Sequence, residues 1–328
     1  MILVCGGAGY IGSHMVHELI RRGEETAIID NLQSGHRGAV HPRALFFQGD
    51  IRDRAALDDI FSRCRIEAVI HFAANSLVGE SVEKPLKYFN NNVHGMQVLL
   101  EAMVDHGVDK IVFSSTAAAY GEPVRIPISE DDPTSPTNPY GESKLIMEKM
   151  MKWVGRANGV RYVSLRYFNV AGALEDGSLG EDHRPETHLI PLILQVPLGR
   201  RDHISVFGDD YDTPDGTCIR DYIQVMDLAE AHLRALDYLR GGGASDIFNL
   251  GGARGFSVKE MISAAEKVVG RPIKMVLEAR RAGDPARLVA ASAKAEKILG
   301  WRPRYASVED IIRTAWTWHQ SHPDGFAE

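Results

Sequence analysis

The stretch "ILVCGGAGYIG" (residues 2–12) decides the fold, because it joins a strand, a glycine-rich turn and the start of a helix. Residues 2–5 are continuously apolar, which predicts a strand covered on both faces of a parallel sheet. Gly6, Gly9 and Gly12 follow at regular spacing. Glycines allow a tight turn and a close approach of the backbone to a ligand, and a helix that begins there offers free N–H groups to a pyrophosphate. The stretch therefore predicts a dinucleotide-binding turn.

Strand and helix patterns alternate through the first half of the chain. Buried strands are predicted at residues 2–5, 26–30, 44–49, 67–73, 110–115 and 161–168, and helices at 11–22, 53–63, 85–106 and 141–157. This alternation predicts an α/β protein with a Rossmann-type doubly wound parallel sheet. Beyond residue 170, long polar loops (172–188 and 208–218) precede a last helix at about 307–320. Loops of that length are usually functional or order a ligand. We expect the mixed elements of this half to form a smaller α/β substrate-binding C-terminal lobe.

Charge and composition exclude several classes of partner. The net charge of −7 argues against nucleic acid, because phosphate backbones require a basic face. Three widely spaced cysteines, Cys5, Cys64 and Cys218, indicate a reducing compartment and neither a disulfide framework nor a zinc site. The first apolar run is too short for a signal peptide, and no segment approaches the roughly 18 apolar residues of a membrane helix. We therefore expect a cytoplasmic protein with no nucleic-acid and no membrane partner.

An acidic residue at the end of the second predicted strand indicates which dinucleotide is bound. The carboxylate of Asp30 can accept hydrogen bonds from a ribose 2′-OH and would repel a 2′-phosphate, which favours NAD over NADP. Arg37, in the next loop, lies too far along the chain to be the obvious phosphate clamp. Asp50 ends the third strand where the adenine ring would lie, although a helix-capping role explains Asp50 or Asp53 about as well.

Polar groups that can move a proton follow the fifth predicted strand. The motif "FSSTAAAYG" brings Ser114, Ser115 and Thr116 to the carboxyl end of the sheet, where ligands bind in open parallel sheets. The motif "YGESK" places Tyr140 and Lys144 four residues apart, on one face of a helix. The tyrosine can exchange a proton, and the positive charge of the lysine can lower its pKa. A Tyr/Lys pair alone is typical of any helix surface, but behind a dinucleotide turn it predicts a catalytic site.

Motifs along the whole chain make it resemble the extended short-chain dehydrogenases/reductases and, within them, the UDP-glucose (UDP-galactose) 4-epimerase branch. They include "GGAGYIGSH", "DNLQSG", "VIHFAA", "FSSTAAAYG", "NPYGESK", "LRYFNVAG" and "VFGDDYDTPDGTCIRDYIQVMDLA". The resemblance implies reversible C4 epimerisation of UDP-hexoses through a transient 4-keto sugar, with bound NAD as the hydride carrier. It also implies a homodimer joined by the helices at about 85–106 and 141–157. The domains it implies are an NAD-binding Rossmann domain at 1–170, with a return segment at about 218–242, and a UDP-sugar-binding lobe at 171–328.

The resemblance assigns three catalytic residues and two binding sets. The catalytic residues are Thr116, Tyr140 and Lys144. The cofactor-binding residues are Gly6, Gly9, Tyr10, Ile11, Gly12, Asp30, Asn31, Asp50, Ile51, Phe72, Ala73, Ala74, Asn91, Ser114, Tyr140, Lys144 and Tyr167. The substrate-binding residues are Thr116, Asn169, His188, Leu189, Arg220, Arg281, Asp284 and Leu288. Taken singly, Asn169 could merely end a strand, and the two arginines could form surface salt bridges, although their planar fork suits a diphosphate.

The chain departs from the family pattern at two positions that bear on binding. Ser76 stands where some members have a lysine that contacts the cofactor, and His188 replaces an asparagine near the substrate. At a third position, Leu288 falls where related enzymes gate the sugar pocket, so we expect slower activity on UDP-N-acetylglucosamine. The alternative is that Leu288 is a core residue. No HxxxH or HExxH arrangement occurs among the thirteen histidines, so no metal site is predicted.

Two alternative functions are weighed on the same fold. Nucleotide-sugar 4,6-dehydratases and decarboxylases carry acid–base groups just after the threonine, where this chain has Ala117 and Ala118. A non-catalytic NAD-sensing regulator is the second alternative, because a fold alone does not define a function. Such proteins commonly lose the tyrosine or the lysine, whereas this chain keeps both.

Overall fold

Strands and helices alternate through the first half as predicted, in a computed structural model that describes residues 1–252, 254–281, 284–305 and 307–327. The strands are β1 (Ile2–Cys5), β2 (Thr26–Asp30), β3 (Leu45–Gln48), β4 (Ala68–His71), β5 (Lys110–Ser114), β6 (Arg161–Tyr167), β7 (Asn169–Ala171), β8 (Ile204–Phe207), β9 (Ile219–Arg220), β10 (Tyr222–Gln224), β11 (Asp246–Leu250), β12 (Phe256–Ser257), β13 (Met275–Glu278) and β14 (Arg287–Leu288). The α-helices are α1 (Tyr10–Arg21), α2 (Arg54–Arg63), α3 (Val78–Glu83), α4 (Pro85–Tyr88), α5 (Gly95–Asp105), α6 (Pro139–Asn158), α7 (Leu189–Gln195), α8 (Val225–Arg240), α9 (Val258–Val269), α10 (Ala293–Leu299) and α11 (Val308–Ser321).

A seven-stranded parallel sheet organises the fold, in the order β11-β6-β5-β4-β1-β2-β3. The chain winds outward in one direction from β1 to β3 and in the other from β4 to β11. Such an order leaves a crevice at the carboxyl ends of the strands, where the winding direction reverses. The predicted α/β class with a doubly wound parallel sheet is confirmed.

The apolar strands are covered on both faces, because alternate side chains of one strand enter different cores. Ile2 and Val4 of β1 belong to a core shared with α1 and α8. Leu3 and Cys5 belong to the opposite core, shared with α2, α5 and α6. This arrangement explains why β1 reads as a continuous apolar run rather than an alternating one.

Strand β3 corrects one of the predictions. It was expected to be buried, but Leu45 is 49% exposed, because β3 is the last strand of the sheet beside β2. Phe46 and Phe47 are partly covered by arginines instead of by a neighbouring strand. The guanidinium of Arg37 lies 4.2 Å from the centroid of Phe46, and that of Arg63 lies 5.3 Å from the centroid of Phe47. An apolar run alone therefore did not separate an edge strand from a central one.

The second half of the chain builds a separate core and also returns to the sheet. Side chains of α7, α9, α11 and β8 form that core. Helix α8 packs against α1, and β11 pairs with β6, so the returning part continues past residue 242 to Leu250. None of the helices in the described ranges combines the length and apolarity needed to cross a membrane.

Candidate active site

A cleft of about 1430 Å³ lies at the carboxyl ends of the sheet strands. Every residue predicted to bind cofactor or substrate lines this cleft, as does Ser76. Most of the cofactor set comes from the ends of β1 to β6 and the segments that follow them, while Asn91 lies on a helical turn before α5 and Tyr140 and Lys144 lie on α6. The substrate set comes mainly from the second half of the chain. The structure thus brings the two sets together, while the role of each residue stays a prediction.

The glycine turn is shaped to let a ligand approach the backbone. Gly6 has a φ of 80°, and a Cβ atom there would lie 2.7 Å from the backbone nitrogen of Ala73. A Cβ atom on Gly12 would overlap the carbonyl oxygen of Gly6. Gly9 caps α1 without any side-chain hydrogen bond, which leaves the first N–H groups of that helix available. This cradle fits the pyrophosphate of a dinucleotide cofactor.

Asp30 is fixed at the end of β2, beside the glycine turn. Its carboxylate accepts hydrogen bonds from the backbone N–H of Ala8 at 2.9 Å and of Leu32 at 2.8 Å. Burial raises the pKa of Asp30, and these two hydrogen bonds oppose that effect. The carboxylate is therefore oriented by the backbone before any ligand arrives, as a ribose-binding acid requires.

The structure decides between the two aspartates that could cap the next helix. Asp53 caps α2, because its carboxylate accepts from the N–H groups of Ala55 and Ala56 at 3.0 and 3.3 Å. Asp50 instead pairs with Arg52 at 2.7 Å, and this hydrogen bond holds the pKa of Asp50 well below its usual range. Asp50 therefore stays in the cleft as a charged group.

A π-helical turn at Phe89–His94 interrupts the predicted helix 85–106 and presents Asn91 to the cleft. Such turns often occur at functional sites. The adjacent Asn92 is fully buried, and its side-chain amide donates to the carbonyl of Asn75 at 3.1 Å and to the hydroxyl of Ser143 at 2.9 Å. Sequence reasoning missed Asn92. The signal was three successive asparagines, which are poor helix formers, within an otherwise helical pattern.

Helix α6 brings Tyr140 next to Thr116. Asn138 caps the helix by accepting from the N–H of Gly141 at 2.9 Å. A Cβ atom on Gly141 would lie 2.6 Å from the carbonyl oxygen of Ala118, so glycine lets the helix approach the segment after β5 closely. Enclosure in the cleft wall raises the pKa of Tyr140, and a hydrogen-bonding interaction with Thr116 lowers it.

Lys144 is buried one helical turn below Tyr140, and its ammonium donates to the carbonyl of Ser114 at 2.7 Å. Burial lowers the pKa of Lys144 to about 7, and the negative charge of Glu148 opposes this shift. The sequence led us to expect that Lys144 sets the pKa of Tyr140. In the structure the effects on that phenol are burial and Thr116, because the lysine is directed at the backbone of β5.

Ser115 differs from its two neighbours. Ser114 contacts the hydroxyl of Tyr167 in the cleft, whereas Ser115 is 1% exposed and donates to Glu148 at 2.6 Å. Glu148 is in turn paired with Arg166 of β6 at 2.5 Å, and both are buried. Ser115 therefore faces the interior and does not reach the ligand cleft with Ser114 and Thr116, as the motif had led us to expect. The buried pair that holds it was missed, although an arginine in an apolar strand was a visible signal.

Two arginines stand on the substrate side of the cleft. One amino group of Arg220 donates to the carbonyls of Ile219 and Pro285, both at 2.9 Å, and the other lies 3.3 Å from Asp284. The guanidinium of Arg281 stacks over Phe207 at 3.8 Å from the ring centroid. Neither arginine is a plain surface salt-bridge former, since both line the cleft and are oriented by groups of the lobe.

Asn169 and Leu288 are placed by strand pairing next to that wall. Asn169 begins β7 rather than ending β6, and its amide donates to the carbonyl of Asp221 at 3.2 Å. Leu288 pairs with Arg220 between β14 and β9, packs against a small apolar cluster and also lines the cleft. The structure is therefore compatible with Leu288 as a gate and as a packing residue.

The loop before α7 carries His188 and three cleft-lining residues that sequence reasoning missed, Glu181, His183 and Glu186. His188 contacts the carboxylate of Glu181, which is 4% exposed. Contact with Glu181 raises the pKa of His183 to about 10 against the opposing effect of its burial.

The parallel sheet, the glycine turn and the Thr116–Tyr140–Lys144 group define a dinucleotide-dependent enzyme of short-chain dehydrogenase/reductase type. Comparisons with known proteins narrow this class. The model of the NAD dependent epimerase/dehydratase family matches residues 2–251. A UDP-glucose 4-epimerase of Lacticaseibacillus casei is 58% identical over 327 residues, which is 100% of this chain and 99% of the relative. The chain belongs to the NAD dependent epimerase/dehydratase family.

Solved structures agree with this assignment. A crystal structure of a UDP-glucose 4-epimerase superposes with a TM-score of 0.99 at 57% identity, covering 100% of this chain and 99% of the other. The UDP-glucose 4-epimerase from Brucella ovis, solved in complex with NAD, superposes with a TM-score of 0.94 at 48% identity, covering 96% and 97%.

Proposed function

We propose that the protein catalyses the reversible C4 epimerisation of UDP-glucose and UDP-galactose through a transient 4-keto sugar, with NAD as a bound hydride carrier. One observation carries the proposal: the Thr116–Tyr140–Lys144 group shares a single cleft with the glycine turn and with Arg220 and Arg281. The names of the relatives, which are UDP-glucose 4-epimerases over the full length of this chain, support it.

The cofactor side of the cleft is built to retain NAD. The glycine turn with α1 holds the pyrophosphate, Asp30 and Asn31 hold the adenosine ribose, and Asp50 lies beside the adenine. NAD held there would supply the acceptor, and afterwards the donor, of the hydride at C4 of the sugar. Because the cofactor is regenerated in every turnover, tight retention is an advantage and no external redox partner is needed.

Tyr140 moves the proton. As phenolate it takes the proton of the sugar 4-OH and later returns it, and Thr116 orients both oxygens. Because enclosure raises the pKa of Tyr140, the phenolate requires positive charge nearby. The nicotinamide cation of NAD would supply that charge when bound, and Lys144, on the same face of α6, fixes the end of β5 through the carbonyl of Ser114.

The substrate side holds the UDP and leaves the hexose free to turn. Arg220 and Arg281 bind the diphosphate, since arginine makes paired, charge-assisted hydrogen bonds to phosphate oxygens. The remaining contacts are assigned to Asn169, His188, Leu189, Asp284 and Leu288, which line the same wall. Ala117 and Ala118 lie beside Thr116 and cannot transfer protons, which favours epimerisation over dehydration or decarboxylation.

We assign residues 1–170, with a return segment that we now extend to residue 250, to the NAD-binding domain and the rest to a UDP-sugar-binding lobe. The protein is further proposed to be a cytoplasmic homodimer. Its three cysteines are free and buried, as in a reducing compartment. Leu86 and Trp153 are 79% and 65% exposed on α4 and α6, which offers an apolar surface to a second copy.

The decisive experiment is turnover of UDP-galactose by the purified protein with no cofactor added. Separation of UDP-glucose from UDP-galactose by chromatography should show both sugars at equilibrium from either starting sugar. A dehydrated or decarboxylated product would favour the other enzymes of this scaffold, and binding of NAD without any turnover would favour the regulator.

A further inference from the structure

Four side chains of the loop between β7 and α7 converge on one point. They are Glu181, His183, Glu186 and His188, and one ligand atom from each lies within 4.8 Å of all the others. They fall in the sequence "EDHRPETH" (residues 181–188). Only His188 has a role in the proposed epimerisation; the other three have none.

The two carboxylates are largely buried, with side chains 4% and 10% exposed, whereas the imidazoles of His183 and His188 are 28% and 50% exposed. Glu181 is 4% exposed, and its Oε1 lies 3.1 Å from Nδ1 of His183 and also contacts Nδ1 of His188. The backbone N–H groups of Thr187 and His188 hold Oε1 of Glu186 at 2.7 and 2.8 Å. Its Oε2 lies 3.8 Å from Nδ1 of His183. A carboxylate as buried as Glu181 must be paired, and the two imidazoles share it.

We propose that Glu181, His183, Glu186 and His188 form a binding site for a divalent transition-metal ion of the zinc type. Two imidazole nitrogens and two carboxylate oxygens are donors that Zn²⁺, Co²⁺ and similar ions accept. Tetrahedral ligation at 2.0–2.1 Å needs donor atoms about 3.3 Å apart, so metal binding would require side-chain rotations that bring the four donors closer than their present spacing of up to 4.8 Å. Mg²⁺ and Ca²⁺ prefer oxygen ligands alone and fit this donor set poorly.

The surroundings give the site a structural role. On α11, Nε2 of His319 is buried without a hydrogen-bond partner among the described residues, and the charges of Glu181 and Glu186 act on this imidazole. The ring of His183 meets the ring of Tyr10 edge-on, with the centroids 6.1 Å apart. The ion would thus fasten the loop that carries His188 against the helix of the glycine turn. The spacing differs from the two helical motifs sought in the sequence, which is why the prediction of no metal site passed over it.

Metal binding can be measured without turnover. The protein is treated with EDTA and titrated with Co²⁺, whose visible absorption reports ligation, and then with Zn²⁺, Mg²⁺ and Ca²⁺ in competition. We expect about one Co²⁺ per chain, displaced by Zn²⁺ but not by Mg²⁺ or Ca²⁺. His183→Ala and His188→Ala should each weaken binding by more than about 100-fold, because even groups outside the ligand set commonly change affinity 10–100-fold.

A matched control is His41→Ala, which removes one imidazole from another neighbouring pair, His17 and His41, with ring centroids 6.2 Å apart. It should bind Co²⁺ like the wild type. If Co²⁺ did not bind stoichiometrically, or if the wild type and both loop variants bound it with equal affinity, the four side chains would form only an ion-pair cluster and the proposal would be wrong. Because the side chain of His188 is half exposed, His188→Ala should fold even if His183→Ala does not. Circular dichroism of both variants checks that they are folded. The result is independent of whether UDP-galactose is turned over.

Discussion

Replacing Tyr140 by phenylalanine tests the proposed proton transfer, because the change removes one oxygen and keeps the ring. The structural cost is small: the phenol loses its interaction with Thr116, and a hydrogen bond contributes about 1 kcal/mol to stability. The catalytic cost should be far larger. Positioned acid–base catalysis contributes roughly 10²–10⁴ in rate. That factor corresponds to about 3–5 kcal/mol in the barrier.

The assay is conversion of saturating UDP-galactose, followed by chromatography, with bound NAD quantified in the same preparation. We expect kcat to fall by that factor while the NAD content and thermal midpoint stay near those of the wild type. Tyr238→Phe is the matched control, since Tyr238 packs against the sheet core and does not line the cleft. A Tyr140→Phe enzyme within about threefold of the wild type would show that another group is the base.

The contribution of Thr116 can be separated in the same assay. Thr116→Val removes the hydroxyl at nearly constant volume and should lower kcat less than Tyr140→Phe does. Because Thr116 orients the phenol as well as the sugar oxygen, the double variant should lose less activity than the sum of the two single losses, expressed as free energies. Fully additive losses would mean that Thr116 acts on the sugar independently.

Three further predictions follow from the same cleft. Burial lowers the pKa of Lys144 from 10.5 to about 7, so between those values the unfolded chain binds more protons than the folded one, and stability from this group rises with pH. Lys144→Met should therefore raise the free energy of unfolding more at pH 6 than at pH 9, when both proteins carry the same amount of NAD. An equal increase at the two pH values would contradict a lowered pKa of Lys144. The protein should be purified with NAD or NADH bound. Asp30→Ala should weaken the retention of NAD and reduce the preference for NAD over NADP. Finding mainly NADP in the wild-type protein would contradict the assignment of Asp30 to the ribose 2′-OH. Leu288→Tyr should lower the activity on UDP-N-acetylglucosamine and leave the activity on UDP-glucose unchanged, whereas Leu288→Ser should raise the activity on UDP-N-acetylglucosamine. If each substitution changed the activities on the two sugars in parallel, Leu288 would be a packing residue only.

The sheet and its cofactor turn could be predicted because their signals are local. Each central strand is an apolar run, and the glycine turn, Asp30 and the Tyr140–Lys144 pair lie within short segments whose geometry follows from helix and strand periods. Burial was harder to predict. The run at β3 is as apolar as that of β2, but only its place at the end of the sheet leaves Leu45 exposed.

The groups that hold the site in place could not be predicted, because their partners are distant in sequence. Asn92 donates a hydrogen bond to Ser143, which lies 51 residues further along the chain, and Ser115 donates one to Glu148, which lies 33 residues further along. The convergence of Glu181 and His188 depends on how a polar loop turns back on itself, for which the sequence has no periodic signal. Residue types were visible in each case, but which of them meet was decided by tertiary packing.

Asp221 shows how the two halves of the cleft are kept in register. Strand β7 follows β6 of the main sheet directly and pairs with β10, which lies just after Arg220, so the chain joins both lobes at this point. The backbone carbonyl of Asp221 accepts from Asn169. Its buried carboxylate accepts from the N–H of Gly252 at 2.7 Å and of Ala290 at 3.0 Å, which follow β11 and β14. One side chain thus ties the last sheet strand to the wall that carries Arg220 and Leu288. The distance between the tyrosine end of the cleft and the arginines is therefore set by the backbone, as the proposed turning of a hexose between them, with its diphosphate held by the arginines, requires.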